Sequence, residues 1–148
     1  MKIALLFSTI ISVLSSFSAF ASDILIEDPY VRETIPGTEI SSAYMTIKNQ
    51  SAKDITLTGI IASISERIEL HEHIMTEEMM KMQQVDSIII KANDSVTLQP
   101  HGYHIMIFGL KKPLTANTQV NMTLQFGDSK AIKVDVPVKG IKKSRHHH

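Results

Sequence analysis

The segment Ala43-Tyr44-Met45-Thr46-Ile47 carries apolar residues at every second position, and the segment Ile55-Thr56-Leu57-Thr58-Gly59-Ile60-Ile61 begins with the same alternation. The polar turn from Asn49 to Asp54 separates the two segments. A period of two is typical of a β-strand that buries one face and exposes the other. The two segments therefore predict two strands joined by a turn.

Further strands are predicted where short runs rich in β-branched residues lie between turn residues. These runs are Arg67 to His73, Ser87 to Ile90, Ser95 to Leu98, His104 to Phe108, Gln119 to Phe126 and Ala131 to Val136. The segment from Ile74 to Lys81 is the least strand-like, and we expect an irregular loop there. No long stretch has helical spacing, so the pattern favours an all-β domain, a Greek-key β-sandwich or barrel.

The N-terminus has the features of a secretory signal peptide. Lys2 precedes a largely apolar run from Ile3 to Leu14, and small residues close on the cleavage signal Ala19-Phe20-Ala21. Serine residues interrupt the apolar run and weaken it as a membrane-spanning helix. We expect cleavage of residues 1–21, a single mature domain over residues 22–139, and a periplasmic protein without stable membrane insertion.

The composition excludes several classes of function. The 148 residues contain 15 basic and 15 acidic side chains and no Cys. Balanced charge gives no general attraction to nucleic acid. Without Cys the chain has no disulfide, no residue for N-terminal lipid modification, and no thiolate for a blue-copper centre or a thiol reductase. The basic and His-rich residues 140–148 are expected to form a solvated tail.

Four residues form a spaced motif of two His and two Met: His71, Met82, His104 and Met106. Chance produces this spacing in a chain of this composition at a rate of roughly one in a thousand. Two imidazoles and two thioethers are a soft, uncharged ligand set that favours Cu(I) over harder divalent ions. The motif therefore predicts a Cu(I) site. Only the two imidazoles must lose protons to bind, so we expect the affinity for copper to weaken as the pH falls.

The strand pattern predicts where the motif residues lie. On a strand, His104 and Met106 project to one face, whereas the isoleucines that follow each of them face the core. We expect His71 to project from the end of another strand, and Met82 to come from the segment that leaves the predicted loop. The site then closes only when distant segments fold together, at one end of the sandwich.

The four motif residues belong to a larger set of segments that this chain shares with a known family. These segments are Tyr30-Val31-Arg32, Ser42-Ala43-Tyr44-Met45 followed by Asn49, Glu69-Leu70-His71-Glu72, Lys81-Met82, and Leu98-Gln99-Pro100 through Gly102-Tyr103-His104-Ile105-Met106. With them the chain resembles the periplasmic copper chaperone family PCu(A)C over nearly the whole mature domain. The resemblance implies a cupredoxin-like β-sandwich that binds one Cu(I) through the four motif residues. It also implies that the protein helps to deliver copper to cytochrome c oxidase, through a copper-accepting oxidase subunit or another copper carrier.

Two positions, Glu72 and His101, depart from the family pattern, and His73 also lies near the motif. Glu72 follows the first motif His where some members have Met, but on a strand it points away from His71. His101 occupies a position where Gly is common, which puts a further candidate ligand near the site. His73 shares a strand face with His71 and is either an auxiliary ligand or a surface His.

The remaining clusters of His and Met have two interpretations each. Three further His residues end the chain: His146, His147 and His148. They are either a flexible arm suited to Cu(II) or an unstructured tail or tag remnant. Three further Met residues lie in the predicted loop: Met75, Met79 and Met80. They are either thioethers that pass copper inward or packing residues, and the usual role of Met favours packing.

A metallochaperone without enzymatic turnover is the leading hypothesis, and two other classes stay open. A structural or adhesive periplasmic module would carry the His and Met residues incidentally. A small metal-dependent periplasmic enzyme would need an open metal site, for which His71, Glu72 and His73 supply zinc-type ligands. That assignment leaves Met82 and Met106 unexplained.

Overall fold

The computed structural model describes residues 23–128 and 130–141. The predicted signal peptide and the tail residues 142–148, with the three terminal His, lie outside the described residues. The described part of the chain holds no helix with the length and apolar character that a membrane span requires.

Residues 23–128 and 130–141 form ten β-strands and no helix. The strands are β1 (Ile24–Arg32), β2 (Ser41–Asn49), β3 (Ile55–Ile61), β4 (Arg67–Met75), β5 (Met80–Val85), β6 (Ile88–Ile90), β7 (Ser95–Leu98), β8 (His104–Phe108), β9 (Gln119–Phe126) and β10 (Ala131–Lys139). The predicted all-β class is confirmed, and β3, β7, β8 and β9 have the predicted bounds.

The strands form one continuous sheet that folds over into two layers. The order is β5-β4-β8-β2-β1-β10-β9-β3-β6, and β7 pairs with β2 in addition. β1 and β10 pair in parallel, whereas the other pairs are antiparallel. β3 contacts β4, and β2 contacts β6, although these strands are not neighbours in the order. The layers therefore face each other, as in a cupredoxin-like sandwich.

The core fills the space between the layers with side chains from alternate strand positions. Ile47 on β2, Ile105 on β8, Leu57 on β3 and Leu124 on β9 are fully buried. Each such side chain contributes about 1.5–3 kcal/mol relative to exposure in water. Burial on one face fixes the register, because a slip by one residue would move this apolar set into water.

The prediction of an irregular loop from Ile74 to Lys81 is wrong. Ile74 continues β4 and Lys81 belongs to β5, and these two residues are register partners in an antiparallel hairpin. Only residues 76–79 form the turn. β5 is an edge strand whose side chains are almost all exposed, so no buried face imposes an alternating apolar pattern on its sequence. β5 is a strand because its backbone pairs with β4, and such pairing leaves no periodic pattern in the sequence.

β1 has no predicted counterpart for a different reason. Its pairing with β2 shifts register between Glu27 and Tyr30. Asp28 has a φ of 48°, in the left-handed region, and the next residue is Pro29. This bulge breaks the period of two that identifies the other strands.

Candidate metal centre

The four motif residues lie on the outer face of three neighbouring strands. His71 lies on β4, Met82 on the edge strand β5, and both His104 and Met106 on β8. β4 pairs with β5 on one side and with β8 on the other. The fold therefore brings together residues from positions 71 to 106 on one surface.

The predicted alternation along β8 is confirmed. Ile105 and Ile107 are completely buried in the core. His104 and Met106 point to the opposite side, by strand geometry. Met106 is partly buried, whereas His104 is only 3% exposed because neighbouring side chains cover it.

The expected position at one end of the sandwich is wrong for both His71 and Met82. His71 is the fifth residue of the nine-residue strand β4, and does not lie at its end. Met82 is the third residue of β5, and does not emerge from a loop. The hairpin extends both strands past the motif. The candidate centre therefore lies on the face of a sheet, where pairing on both sides holds β4 in place.

His71 and His104 are direct register partners across β4 and β8. Their ring centroids are 5.9 Å apart. In a metal site with metal–nitrogen bonds of about 2.0 Å, each ring centroid lies about 3 Å from the ion, so a separation near 6 Å fits two imidazoles on one ion. The backbone register alone thus brings the two predicted nitrogen ligands to a usable distance.

Hydrogen bonds assign which nitrogen of each ring is free to bind a metal. His104 Nδ1 lies 2.9 Å from the carbonyl oxygen of Gly102. His71 Nε2 lies 2.8 Å from Glu69 Oε2. Carbonyl and carboxylate oxygens accept hydrogen bonds, so each of these nitrogens carries the proton and the other nitrogen carries the lone pair. This arrangement is typical of metal-binding His residues, whose second nitrogen is held by an outer oxygen.

The free nitrogen of His71 is also buried. Its Nδ1 has no hydrogen-bond partner within the described residues, although it is shielded from solvent. A buried polar atom without a partner costs free energy, typically about 1–3 kcal/mol. A bound metal ion would remove this cost. The orphaned nitrogen therefore supports a metal site that uses His71 through Nδ1.

The pKa values of two groups at the centre, Glu69 and His104, are lowered. Hydrogen bonds from His71 and from Arg67, whose Nε lies 2.6 Å from Glu69 Oε1, lower the pKa of the Glu69 carboxyl. Burial lowers the pKa of His104, and the nearby His73 and His71 lower it further, against an opposing effect of the bond to Gly102. Glu69 is thus held as a carboxylate and His104 as a neutral imidazole. The neutral imidazole is the form of His that binds metals.

The two thioethers lie on opposite sides of the line that joins the register partners His71 and His104 across the sheet. Met106 is the register partner of Glu69, one step along β8 from His104 on the same face. Met82 is the register partner of His73, so it reaches His71 only diagonally. Diagonal neighbours on a sheet are about 7–8 Å apart at the backbone, within reach of a long side chain. Met82 is 44% exposed, so its side chain is free to turn toward the imidazoles.

His73 and His101 extend the cluster of imidazoles. The His73 ring stacks on His104 at a centroid distance of 4.9 Å, and lies 5.7 Å from the His101 ring. His73 Nδ1 is buried and lacks a hydrogen-bond partner. His101 has a φ of 67°, a backbone conformation that favours Gly. This φ explains physically why Gly suits that position.

Sequence reasoning did not identify Glu69 or Phe108 as parts of the centre. Glu69 lies two residues before His71, so the period of a strand places both on one face, and this signal was available. The Phe108 ring lies 5.9 Å from the His71 ring, and Arg67 packs over Phe108 at 4.4 Å. This packing depends on the pairing of β4 with β8, which sequence spacing does not contain.

The grouping of carboxylates and imidazoles bears on the zinc-type alternative. Among residues 23–128 and 130–141, no three His, Asp or Glu side chains are grouped so that they could hold a metal ion. The thioethers of Met82 and Met106 are the remaining donors that the sequence motif predicts.

These features define a class: an all-β, cupredoxin-like sandwich with a cluster of imidazoles and thioethers on one sheet face. The sequence profile of the family described as putative lipoprotein LpqE-like matches residues 24–138. The chain belongs to this family, the PCuAC family, as its motifs predicted.

Individual relatives agree with this assignment. A putative lipoprotein, Lxx21020 from Leifsonia xyli subsp. xyli, is 34% identical over 104 residues, which cover 70% of this chain and 63% of the relative. The chain thus spans 63% of the length of that relative. The solution structure of the Cu(I) form of DR1885 from Deinococcus radiodurans is 28% identical, with a TM-score of 0.68 and coverage of 88% of this chain and 87% of that chain.

A further solved structure supports the fold. The copper-bound PCuAC domain from PmoF2 has a TM-score of 0.69 at 22% identity, with coverage of 80% of this chain and 94% of that domain. At this identity the likeness concerns the fold alone. Both solved structures have the same cupredoxin-like sandwich as the chain described here.

Proposed function

We propose that this protein is an exported metallochaperone that binds Cu(I) through His71, Met82, His104 and Met106. One observation carries the proposal: the hydrogen bonds of both motif imidazoles leave a lone pair on each ring, on the face that also carries the motif thioethers. The Cu(I)-bound state of the similar DR1885 supports the choice of metal.

The chemistry of the four ligands suits a carrier that must also release its cargo. Four neutral ligands leave the complex with a formal charge of +1, which costs less to shield from water than a divalent charge. The Glu69 carboxylate, hydrogen-bonded to His71, offsets part of that charge. Binding and release involve no change of oxidation state and no turnover, so we propose a binding protein and not an enzyme.

Exposure of the ligands sets the order in which they leave. His104 is buried and held by Gly102, whereas Met82 is 44% exposed on the edge strand. A ligand from an acceptor protein therefore replaces Met82 first, while the two imidazoles still hold the ion. His104, the most buried ligand, dissociates last.

We propose that the acceptor is a copper site of a respiratory oxidase or another copper carrier in the periplasm. The PCuAC family assignment and the exported character expected from residues 1–21 support this choice. Copper-loaded protein mixed with the apo form of a soluble copper-accepting oxidase domain should lose copper to that domain. Deletion of the gene should lower oxidase activity, and added copper should restore it.

Copper titration of Met→Leu variants tests the ligand set. Leu has nearly the volume of Met but no thioether. We expect Met106→Leu to weaken Cu(I) binding in competition with a chelator, and the X-ray absorption of the wild-type complex to show sulfur and nitrogen together. The matched control is Met122→Leu, which removes a thioether from the core, where Met122 is 1% exposed. Equal Cu(I) affinity in both variants, or an all-nitrogen shell, would refute the proposed ligands.

A further inference from the structure

Three Met side chains are exposed at the tip of the β4–β5 hairpin. The exposed fractions are 76% for Met75, 68% for Met79 and 48% for Met80. The sequence favoured a packing role for these residues, and that interpretation is wrong because their side chains face solvent. Met is normally a core residue, so three exposed Met residues in six positions need another explanation.

The hairpin brings the backbones of the three Met residues close together. Met75 and Met80 are register partners, the last pair before the turn. Directly opposed residues of an antiparallel pair have Cβ atoms about 4.5–5.5 Å apart. Thr76 closes the turn, because its backbone N–H and its hydroxyl donate to the carbonyl oxygen of Met79 at 3.1 and 2.7 Å. The backbone of Met79 is thereby fixed next to the pair.

Met75 and Met80 lie on the same face of the hairpin as the candidate centre. Met75 lies four residues beyond His71 on β4, so strand alternation directs both to one side. Met82 lies two residues beyond Met80 on β5, again on that side. At about 3.3 Å per residue, the tip is about 13 Å from His71, and Met82 stands halfway. A row of thioethers therefore connects the tip with the imidazoles.

The turn also carries negative charge, which attracts cations. Glu77 and Glu78 are both exposed in the turn between the strands. Two carboxylates at the tip raise the local concentration of positive ions. They are hard ligands that do not themselves select Cu(I), whereas the thioethers beside them do.

We propose that the thioethers of Met75, Met79 and Met80 form a second Cu(I) site, which takes up the ion and passes it by way of Met82 to His71 and His104. The passing step rests on the function proposed above, whereas binding at the tip does not. In each step one copper–sulfur bond breaks as a new bond to sulfur or nitrogen forms. Copper stays Cu(I) throughout, so no oxidant or reductant is needed.

The triple variant Met75→Leu, Met79→Leu, Met80→Leu tests the second site. Leu keeps the apolar surface and removes only the sulfur, and all three positions are exposed, so the fold has no reason to change. With excess Cu(I) and a weak competing chelator, we expect wild type to retain about two ions per chain and the variant about one. The second ion should show a sulfur-only shell, and the variant should load its remaining site more slowly. Met122→Leu is the control and should behave as wild type.

The outcomes separate this proposal from the function proposed above. One retained ion in wild type with a mixed sulfur and nitrogen shell, or two retained ions in the triple variant, overturns the second site and leaves the proposed function intact. A single sulfur-only ion that the triple variant loses supports the tip site and refutes the His-containing centre. No retained Cu(I) in wild type refutes both proposals.

Discussion

Glu69 is not a proposed ligand, yet its hydrogen bond to His71 gives a specific expectation about metal affinity. Glu69 Oε2 holds the proton of His71 on Nε2, and thereby leaves the lone pair of Nδ1 free for the proposed metal. Removal of such an outer partner typically weakens metal binding by about 10–100-fold, or about 1.4–2.7 kcal/mol. The Glu69 side chain is only 14% exposed, so water replaces it poorly.

Two substitutions should divide this effect into its parts. Glu69→Gln keeps an oxygen that accepts from His71 but removes the negative charge, so we expect a loss of Cu(I) affinity near the lower limit, about tenfold. Glu69→Ala removes both the oxygen and the charge, and we expect a loss near the upper limit, about 100-fold. The order of affinity should be wild type, then Gln, then Ala.

Chelator competition for Cu(I) at neutral pH measures this order. The control is Glu27→Gln, which breaks a carboxylate pair with Lys48 at 2.9 Å elsewhere on the sheet. That exposed pair contributes little, and its loss should leave the copper affinity unchanged. If Glu69→Ala binds Cu(I) within about twofold of wild type, His71 does not depend on Glu69 and the assignment of Nδ1 as the ligand atom is refuted.

Three further predictions concern pH, backbone strain and the tail. The pKa of His104 is lowered in the folded protein, so the folded state binds a proton on this ring less well than the unfolded state does. The contribution of neutral His104 to stability is therefore present above about pH 6.5 and is lost as the pH falls. Thermal unfolding of the copper-free protein should show a Tm that falls as the pH is lowered from 8 to 5. A Tm that rises as the pH is lowered would contradict the role of His104. His101→Gly relieves a left-handed backbone and should stabilise the copper-free fold by about 0.5–1 kcal/mol in urea unfolding; a destabilised variant would refute the strain. A chain that ends at Lys143 should bind less Cu(II) if residues 146–148 hold it, and an unchanged Cu(II) stoichiometry in titration would remove the tail from the function.

The strands with one buried face could be predicted from the sequence, and the exposed edge could not. β8 is identified by alternation, because Ile105 and Ile107 must enter the core while His104 and Met106 stay outside. β5 has no buried face, so its residues carry no such pattern, and its strand conformation comes from backbone bonds to β4. For the same reason the sequence did not predict the β4–β5 hairpin, and it favoured a packing role for Met75 and its neighbours that is wrong.

The sequence by itself determined the chemistry of the proposed site: two imidazoles, two thioethers, no thiolate and a strand that presents His104 with Met106. These are properties of residue types and of a local period, so they need no knowledge of distant contacts. Only the tertiary structure decided that His71 faces His104, that Glu69 and Gly102 choose the free nitrogen of each ring, and that a row of thioethers runs to the hairpin tip. The physical reason is register: cross-strand neighbours are set by pairing between segments far apart in the chain, and that pairing is fixed by the shared core.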